Sequence, residues 1–140
     1  MNVWLSRQTI LAIHDEQLAE HGGAVGVRDE GLLESALARP LNRASYGDPD
    51  MAELAALYAI AIARNHPFVD GNKRTAYVAL ESFLELNGCE FPVSDRDAVI
   101  ATLALASSAM SDDEFTAWVR NNTRVRSACS CLPSFRIDDI

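Results

Sequence analysis

The sequence lacks any apolar run long enough to span a membrane. Even the Ala-rich residues 54–63 fall short of the ~18 that a spanning helix needs. Residues 1–4 show no basic region followed by an apolar core, so no secretory signal is visible. Cysteine is scarce, and the three cysteines cannot all pair within one chain. We therefore expect a protein of the reducing cytoplasm, without a membrane partner.

Positive charge is also in deficit. The 12 Lys and Arg residues stand against 20 Asp and Glu, which gives a formal net charge of −8. An acidic surface repels phosphate backbones, so direct binding of nucleic acid is disfavoured. A local basic site remains compatible with this charge.

Length and composition indicate one globular domain. The chain has 140 residues, close to the ~150 of a typical domain, and 49% of them are hydrophobic. Helical spacing recurs throughout, whereas the alternating runs that mark half-buried strands are nearly absent. We predict an all-α fold, with a helical domain over residues 1–120 and a C-terminal tail over 121–140 that has the mobility of a chain end.

Six helices are predicted from capping residues and helical spacing. Glu53 and Glu114 stand where a capping box needs them, and the fourth helix is expected from about Asn72 to Asn87. The third helix, residues 51–64, is apolar or small on nearly every face, which suits the centre of a bundle. The capping residues of the other five helices are Ser6, Asp29, Asp50, Ser94 and Ser111.

Glycine and proline define the predicted helix ends. Gly22 ends the first helix, Pro40 the second and Gly88 the fourth. The turn-forming residues 41–49 are predicted to form a loop or flap. The residues expected to face inward on the second and fourth helices are Leu32, Leu33, Ala36, Leu37, Ala76, Ala79, Leu80, Phe83, Leu84 and Leu86.

The segment HPFVDGNKRTA, residues 66–76, carries the chemistry. It is too polar to be core, although it lies between the two most apolar helices. Gly71 at the mouth of the fourth helix lets a ligand approach unpaired N–H groups at the positive end of the helix dipole. Lys73 and Arg74 in that first turn are unfavourable by ~0.3–1 kcal/mol each unless an anion binds there. The pattern predicts a phosphate site.

Two neighbouring residues suit transfer from a nucleotide to a hydroxyl. Asp70 offers a hard oxygen ligand for Mg²⁺, which proteins hold with one or two carboxylates and substrate phosphates. His66 is the good general base nearest in sequence. Taken singly, His66 can be structural, Asp70 a helix cap, Asn72 a turn residue and the two cations a solvated face. Their clustering favours the catalytic interpretation.

The remaining histidines and cysteines are assigned no chemistry. His14 is placed on the buried face of the first helix and His21 near its C-terminus, where an imidazole interacts well with the dipole. Cys129 and Cys131 have no second pair, and the histidines share no metal-ligand spacing, so a zinc site is unsupported.

The segment resembles the motif H-x-F-x-D-x-N-K-R of the death-on-curing (Doc) branch of the Fic fold. The similarity extends over about residues 4–120 and includes Ile13-His14-Asp15, Gly22-Gly23 and the run from Arg28 to Pro40. Such a resemblance implies a compact bundle of about six helices with the motif loop between two central helices. The specified motif positions are His66, Phe68, Asp70, Asn72, Lys73 and Arg74.

The resemblance implies an enzyme that uses ATP and Mg²⁺. His66 would take the proton from a target Ser or Thr hydroxyl, and Arg74 would complete the catalytic set. Asp70 would hold the metal or help to orient the base and the substrate. The residues implied to contact the nucleotide are Phe68, Gly71, Asn72, Lys73 and Arg74.

Fic adenylyltransferases carry a wider pattern, H-P-F-x-(D/E)-G-N-G-R-x-x-R. Pro67 and Gly71 agree with it, but Lys73 replaces its second loop Gly and Tyr77 stands at its final Arg. In the family, the Lys obstructs part of the phosphate cradle and the nucleotide binds reversed, with its γ-phosphoryl toward the hydroxyl. A protein kinase is therefore expected. An adenylyltransferase is the alternative, and an inactive helical interaction module is a third interpretation.

The resemblance also implies a toxin that a partner controls. The expected target belongs to the translation machinery, with elongation factor Tu as the leading candidate, and Tyr46 in the flap is a candidate contact with it. The inhibitory motif (S/T)-x-x-x-E-(G/N) of many Fic proteins is absent from the sequence. A cognate antitoxin is therefore expected to inhibit in trans, through a C-terminal helix that folds against the domain.

Overall fold

The computed structural model describes residues 2–126, which form a bundle of six helices and confirm the all-α prediction. Two short antiparallel strands, β1 (Cys89–Glu90) and β2 (Arg124–Val125), pair near the end of the described chain. No helix in residues 2–126 has the length and apolar character needed to cross a bilayer. The helices are α1 (Arg7–His21), α2 (Glu30–Ala44), α3 (Met51–Asn65), α4 (Asn72–Leu86), α5 (Asp95–Ala106) and α6 (Asp112–Asn122).

Helix α3 is the centre of the bundle, as its composition predicts. It packs against α2, α4, α5 and α6, and ten of its side chains are buried. Because most of these are alanines, neighbouring helices approach closely along its length. Its largest buried side chain, Tyr58, keeps its hydroxyl satisfied by accepting a hydrogen bond from the Leu5 N–H at 3.1 Å.

Five helices begin with the predicted capping side chain, and α4 does not. The side-chain oxygens of Ser6, Asp29, Asp50, Ser94 and Ser111 each accept a hydrogen bond from a main-chain N–H in the first turn. Helix α4 begins after Gly71, which has no side chain to offer. Within residues 2–126, the N–H groups of Asn72, Lys73 and Arg74 make no hydrogen bond to protein. The motif helix is therefore left open at its positive end.

The predicted end of the second helix at Pro40 is wrong. Helix α2 continues through Pro40 to Ala44, so the loop predicted over residues 41–49 starts only at Ser45. Pro40 is buried, and the turn beyond it is fixed by Arg43, which lies 2.7 Å from Glu53 of α3 and donates to the Tyr46 carbonyl. Burial of Pro40 and the contact between Arg43 and Glu53 accompany the continuation of the helix past the hydrogen bond that proline removes.

The residues of α4 that are predicted to face inward are buried, except the last of them, Leu86. Leu86 is 52% exposed, because it lies in the final turn, just before the chain turns at Gly88 and leaves the bundle. On α2, Leu33 and Ala36 are fully buried, while Leu32 and Leu37 are half-buried.

The tail predicted over residues 121–140 lies largely outside the described residues. Its first part belongs to the bundle, since α6 ends at Asn122 and Arg124–Val125 pair with Cys89–Glu90. Residues 127–140 are beyond the described part of the chain.

One carboxylate of α4 is held in an unfavourable environment. Partial burial of Glu81 and, to a lesser extent, repulsion from Asp95 and Glu85 raise its pKa from the ordinary 4.5 to about 7. Because the pKa of Glu81 is higher in the folded than in the unfolded protein, protonation of Glu81 favours folding. This contribution to stability is complete only below about pH 4.5. It is lost as the pH rises through 7.

We expect Glu81→Gln to stabilise the protein above pH 7 and to leave it nearly unchanged at pH 5. After solvent screening the gain at pH 8 should be on the order of 1 kcal/mol, or roughly 3 °C in Tm. Thermal unfolding at pH 5 and pH 8 measures it, with the exposed Glu34→Gln as the matched control. An equal gain for Glu81→Gln at both pH values would contradict the assignment.

Candidate active site

The motif loop leaves α3 through a left-handed residue. His66 has φ 49° and ψ 57°, a conformation that costs a non-glycine residue about 1 kcal/mol or more. Arg28 holds it there. The guanidinium donates to the His66 carbonyl at 2.7 Å and to the Asn65 carbonyl at 2.9 Å. A cation at the C-terminal end of α3 also complements its dipole.

The segment that precedes α2 supports the loop from one side. The main-chain N–H groups of Arg28 and Asp29 both donate to the Pro67 carbonyl, at 2.7 and 3.1 Å. The Val69 N–H donates to the Gly26 carbonyl at 3.1 Å. These hydrogen bonds join the motif loop to the segment before α2, and both parts of the chain belong to the sequence resemblance.

Asn72 closes the loop on itself. Its Oδ1 accepts from the Phe68 N–H and its Nδ2 donates to the Phe68 carbonyl, both at 2.9 Å. The Asn72 side chain is 8% exposed and the Phe68 ring is fully buried. Both residues were predicted to contact the nucleotide. In the structure their side chains hold the loop, and Asn72 also lines the cavity over α4.

Asp70 has the exposure and free lone pairs that a metal ligand needs. One carboxylate oxygen accepts from the Gly71 N–H at 2.9 Å and the other from the Ala24 N–H at 3.3 Å. Within residues 2–126 no group of three or more His, Cys, Asp or Glu residues is arranged to hold a metal. One carboxylate fits Mg²⁺ bound together with substrate phosphates and does not fit a cage built by the protein alone.

A cavity of about 470 Å³ opens over the N-terminus of α4. The C-terminal turn of α1 forms its other wall, where His21 lies 3.4 Å from an Arg74 guanidinium nitrogen. Two cations and the uncapped N–H groups of α4 therefore face one space, which favours an anion. Its lining residues are Gln17, Leu18, His21, Gly22, Gly23, Asp70, Gly71, Asn72, Lys73 and Arg74.

His66 lines a different cavity. This second space, of about 390 Å³, lies against the C-terminal part of α5 and includes Leu103 and Ser107. Lys73 lines both cavities. The structure thus brings five predicted site residues, Asp70 to Arg74, around one cavity and places the predicted base beyond Lys73.

Tyr77 lines a further cavity, which it shares with Lys73 and Arg74. It is 6% exposed and lies against α5 beside Val99 and Thr102, and burial raises the pKa of its hydroxyl. It does not line the cavity over α4. The position where the adenylyltransferase pattern carries its final Arg therefore offers no cation to a nucleotide.

Tyr46 lies in the shortened loop between α2 and α3. Its side chain is 66% exposed, and the Arg43 guanidinium lies 5.3 Å from the centre of its ring. An exposed aromatic ring beside a cation remains a candidate contact for a protein substrate.

Two histidines that the sequence leaves without a role belong to the site. His21 lines the cavity, and His14 touches the motif loop from beneath, where it stacks on Phe68. Local spacing gives no signal for either residue, because their partners are more than 50 positions away in the chain.

Comparison with known proteins agrees with the family resemblance of the motif. The model of the Fic/DOC family matches residues 4–84. "Protein kinase doc" of Escherichia phage P1 is 33% identical over 113 residues, which cover 77% of this chain and 90% of that protein. "Toxin Doc" of Mycolicibacterium smegmatis is 41% identical over 93 residues, 64% of this chain and 68% of that protein. The resemblance read from the motif is confirmed.

The clamp made by Asn72 predicts a loss of stability when it is removed. Asn72→Ala leaves the buried N–H and carbonyl of Phe68 unpaired, which should cost about 1–3 kcal/mol. Urea denaturation measures the loss, with the exposed Asn42→Ala as control. If Asn72→Ala matches the control in stability and only weakens nucleotide binding, the amide serves the ligand and not the loop.

Proposed function

The chain belongs to the Fic/DOC family, and from this premise we propose that it is the toxin of a toxin–antitoxin pair. In this proposal it transfers the γ-phosphoryl group of ATP to a Ser or Thr hydroxyl of a protein. The names of its relatives support both parts, since one is called a kinase and the other a toxin.

The uncapped N-terminus of α4 is the observation that carries the proposal. Three main-chain N–H groups, Lys73 and Arg74 converge there beside the one exposed carboxylate of the motif. Without a bound anion, two cations lie against the positive end of a helix dipole, which is unfavourable. A polyphosphate reverses the sign of both interactions.

The residues divide the work of phosphoryl transfer. His66 takes the hydroxyl proton as the hydroxyl oxygen forms its bond to the γ-phosphorus, and the bond from that phosphorus to the β-phosphate oxygen breaks to release ADP. Asp70 would hold Mg²⁺, which neutralises phosphate charge. Lys73, Arg74 and the N–H groups of α4 fix the phosphates, and positioning with charge neutralisation supplies most of this catalysis.

Lys73 and Tyr77 favour phosphoryl transfer over adenylyl transfer. Lys73 places a long cationic side chain between the two cavities, where adenylyltransferases keep a glycine. The buried Tyr77 leaves the distal phosphates without the usual arginine clamp. Adenylyl transfer is the second candidate, because Pro67 and Gly71 match the wider Fic pattern.

The proposed target is a protein of the cytoplasmic translation machinery, with elongation factor Tu first. The proposed partner is a cognate antitoxin whose C-terminal helix docks on the domain, because the chain has no inhibitory motif of its own. The exposed Tyr46 is proposed to contact the protein substrate.

The role of His66 predicts loss of toxicity without loss of fold. His66→Ala should abolish growth arrest and phosphoryl transfer, since His66 is the one imidazole among the described residues that line its cavity. His66→Asn is the sharper variant, because Asn tolerates the left-handed conformation and should keep the stability of the wild type. Growth assays and circular dichroism measure both effects. Full toxicity in folded His66→Asn would remove the residue from the mechanism.

Nucleotide labelling decides between the two enzymes. The protein, Mg²⁺ and a translation extract are incubated with ATP labelled at the α or the γ phosphorus. We expect label on the target from γ alone, and Lys73→Gly should weaken this transfer. Label from α alone would mean that AMP was transferred, with release of pyrophosphate, and that the adenylyltransferase alternative holds.

A further inference from the structure

His14 lies outside the motif yet contacts it at two points. It is 2% exposed, and its ring stacks on Phe68 with the ring centroids 3.8 Å apart and the planes at 9°. Its Nε2 lies 2.8 Å from the main-chain oxygen of Asp70. A carbonyl oxygen can only accept, so Nε2 carries a proton and donates.

This hydrogen bond fixes one peptide plane of the site. In a trans peptide the C=O and the following N–H point in opposite directions. The Asp70 carbonyl points toward His14, so the Gly71 N–H points away from it and donates to Asp70 Oδ1 at 2.9 Å. One plane therefore orients both the main chain and the carboxylate of the proposed metal ligand.

Gly71 leaves that plane free to turn in the absence of His14. Glycine has no Cβ, and at φ 78° it occupies a region where neighbouring peptide orientations differ little in energy. A Cβ at this position would meet the His14 ring at 3.6 Å, so helix α1 and the loop are already in close approach. A turned plane would present a carbonyl oxygen where the Gly71 N–H now lies, beside the anion cavity.

We propose that His14 is a positioning residue that locks the Asp70–Gly71 peptide, and through it the Asp70 carboxylate, in the orientation that serves the phosphate site. The proposal rests on the proposed function, in which Asp70 works with the bound nucleotide. It assigns to His14 a role through its hydrogen bond, distinct from its contribution to packing.

A matched pair of variants isolates the hydrogen bond. Glutamine places a donor nitrogen at the same number of bonds from Cβ as His Nε2, and methionine has nearly the same shape without a donor. Because both variants lose the stack on Phe68, the difference between His14→Gln and His14→Met is the hydrogen-bond donor. His14→Phe keeps the stack and lacks the donor. Ile13→Val, a mild change in the same helix, controls for lost packing.

The readout that does not depend on activity is the Gly71 amide. Asp70-Gly71 is the sole Asp-Gly pair of the sequence, so labelling Asp with carbonyl ¹³C and Gly with ¹⁵N gives a single NMR correlation from this peptide. Because Gln and Met remove the same ring from beside Gly71, these two variants are compared with each other: the correlation should lie closer to its wild-type position in His14→Gln than in His14→Met. It should move in His14→Phe and stay in place in Ile13→Val. Phosphoryl transfer should fall roughly 10–100-fold in His14→Met and His14→Phe and only a few-fold in His14→Gln.

Each result decides the proposal. An unmoved correlation in folded His14→Met or His14→Phe overturns it, as does a His14→Gln variant as defective as His14→Met in both measurements. If the wild type transfers no phosphate, the proposed function fails, while the correlation still shows whether His14 holds the peptide.

Discussion

The site depends on one feature, the uncompensated positive charge at the start of α4. In each of the other five helices of residues 2–126, a serine or aspartate side chain accepts from one N–H of the first turn, so the omission at Gly71 is local and specific. Lys73 and Arg74 then add positive charge where the dipole is already positive. A structure held together by packing alone gains nothing from this arrangement, whereas one that binds phosphate uses all of it.

The rest of the site keeps the N–H groups at the start of α4 uncapped and correctly placed. Arg28 holds the left-handed His66, Asn72 clamps Phe68, and His14 holds the Asp70 carbonyl. Each of these side chains bonds to the main chain of the loop. The loop can therefore expose Asp70 and uncapped N–H groups while its strained main chain remains fixed by hydrogen bonds from α1, from α4 and from the segment before α2.

The sequence predicts local features of this fold well and long-range features poorly. Five capping residues, the apolar α3 and the polar segment before α4 are legible because each depends on neighbours within a few positions. Pro40 misleads, since the contact between Arg43 and Glu53 that carries α2 past it leaves no local pattern. The motif residues are found together, but sequence cannot show that His66 and Arg74 line different cavities, or that His14 lies beneath Asp70. Those relationships arise from how α1, α4 and α5 pack.

A crystal structure with Mg²⁺ and a non-hydrolysable ATP analogue tests the central claim most directly. We expect phosphate oxygens at the N–H groups of Asn72, Lys73 and Arg74, the metal on Asp70, and the γ-phosphorus as the phosphorus atom nearest His66. A nucleotide whose phosphates lie away from the first turn of α4, or whose α-phosphorus is nearest His66, would contradict it.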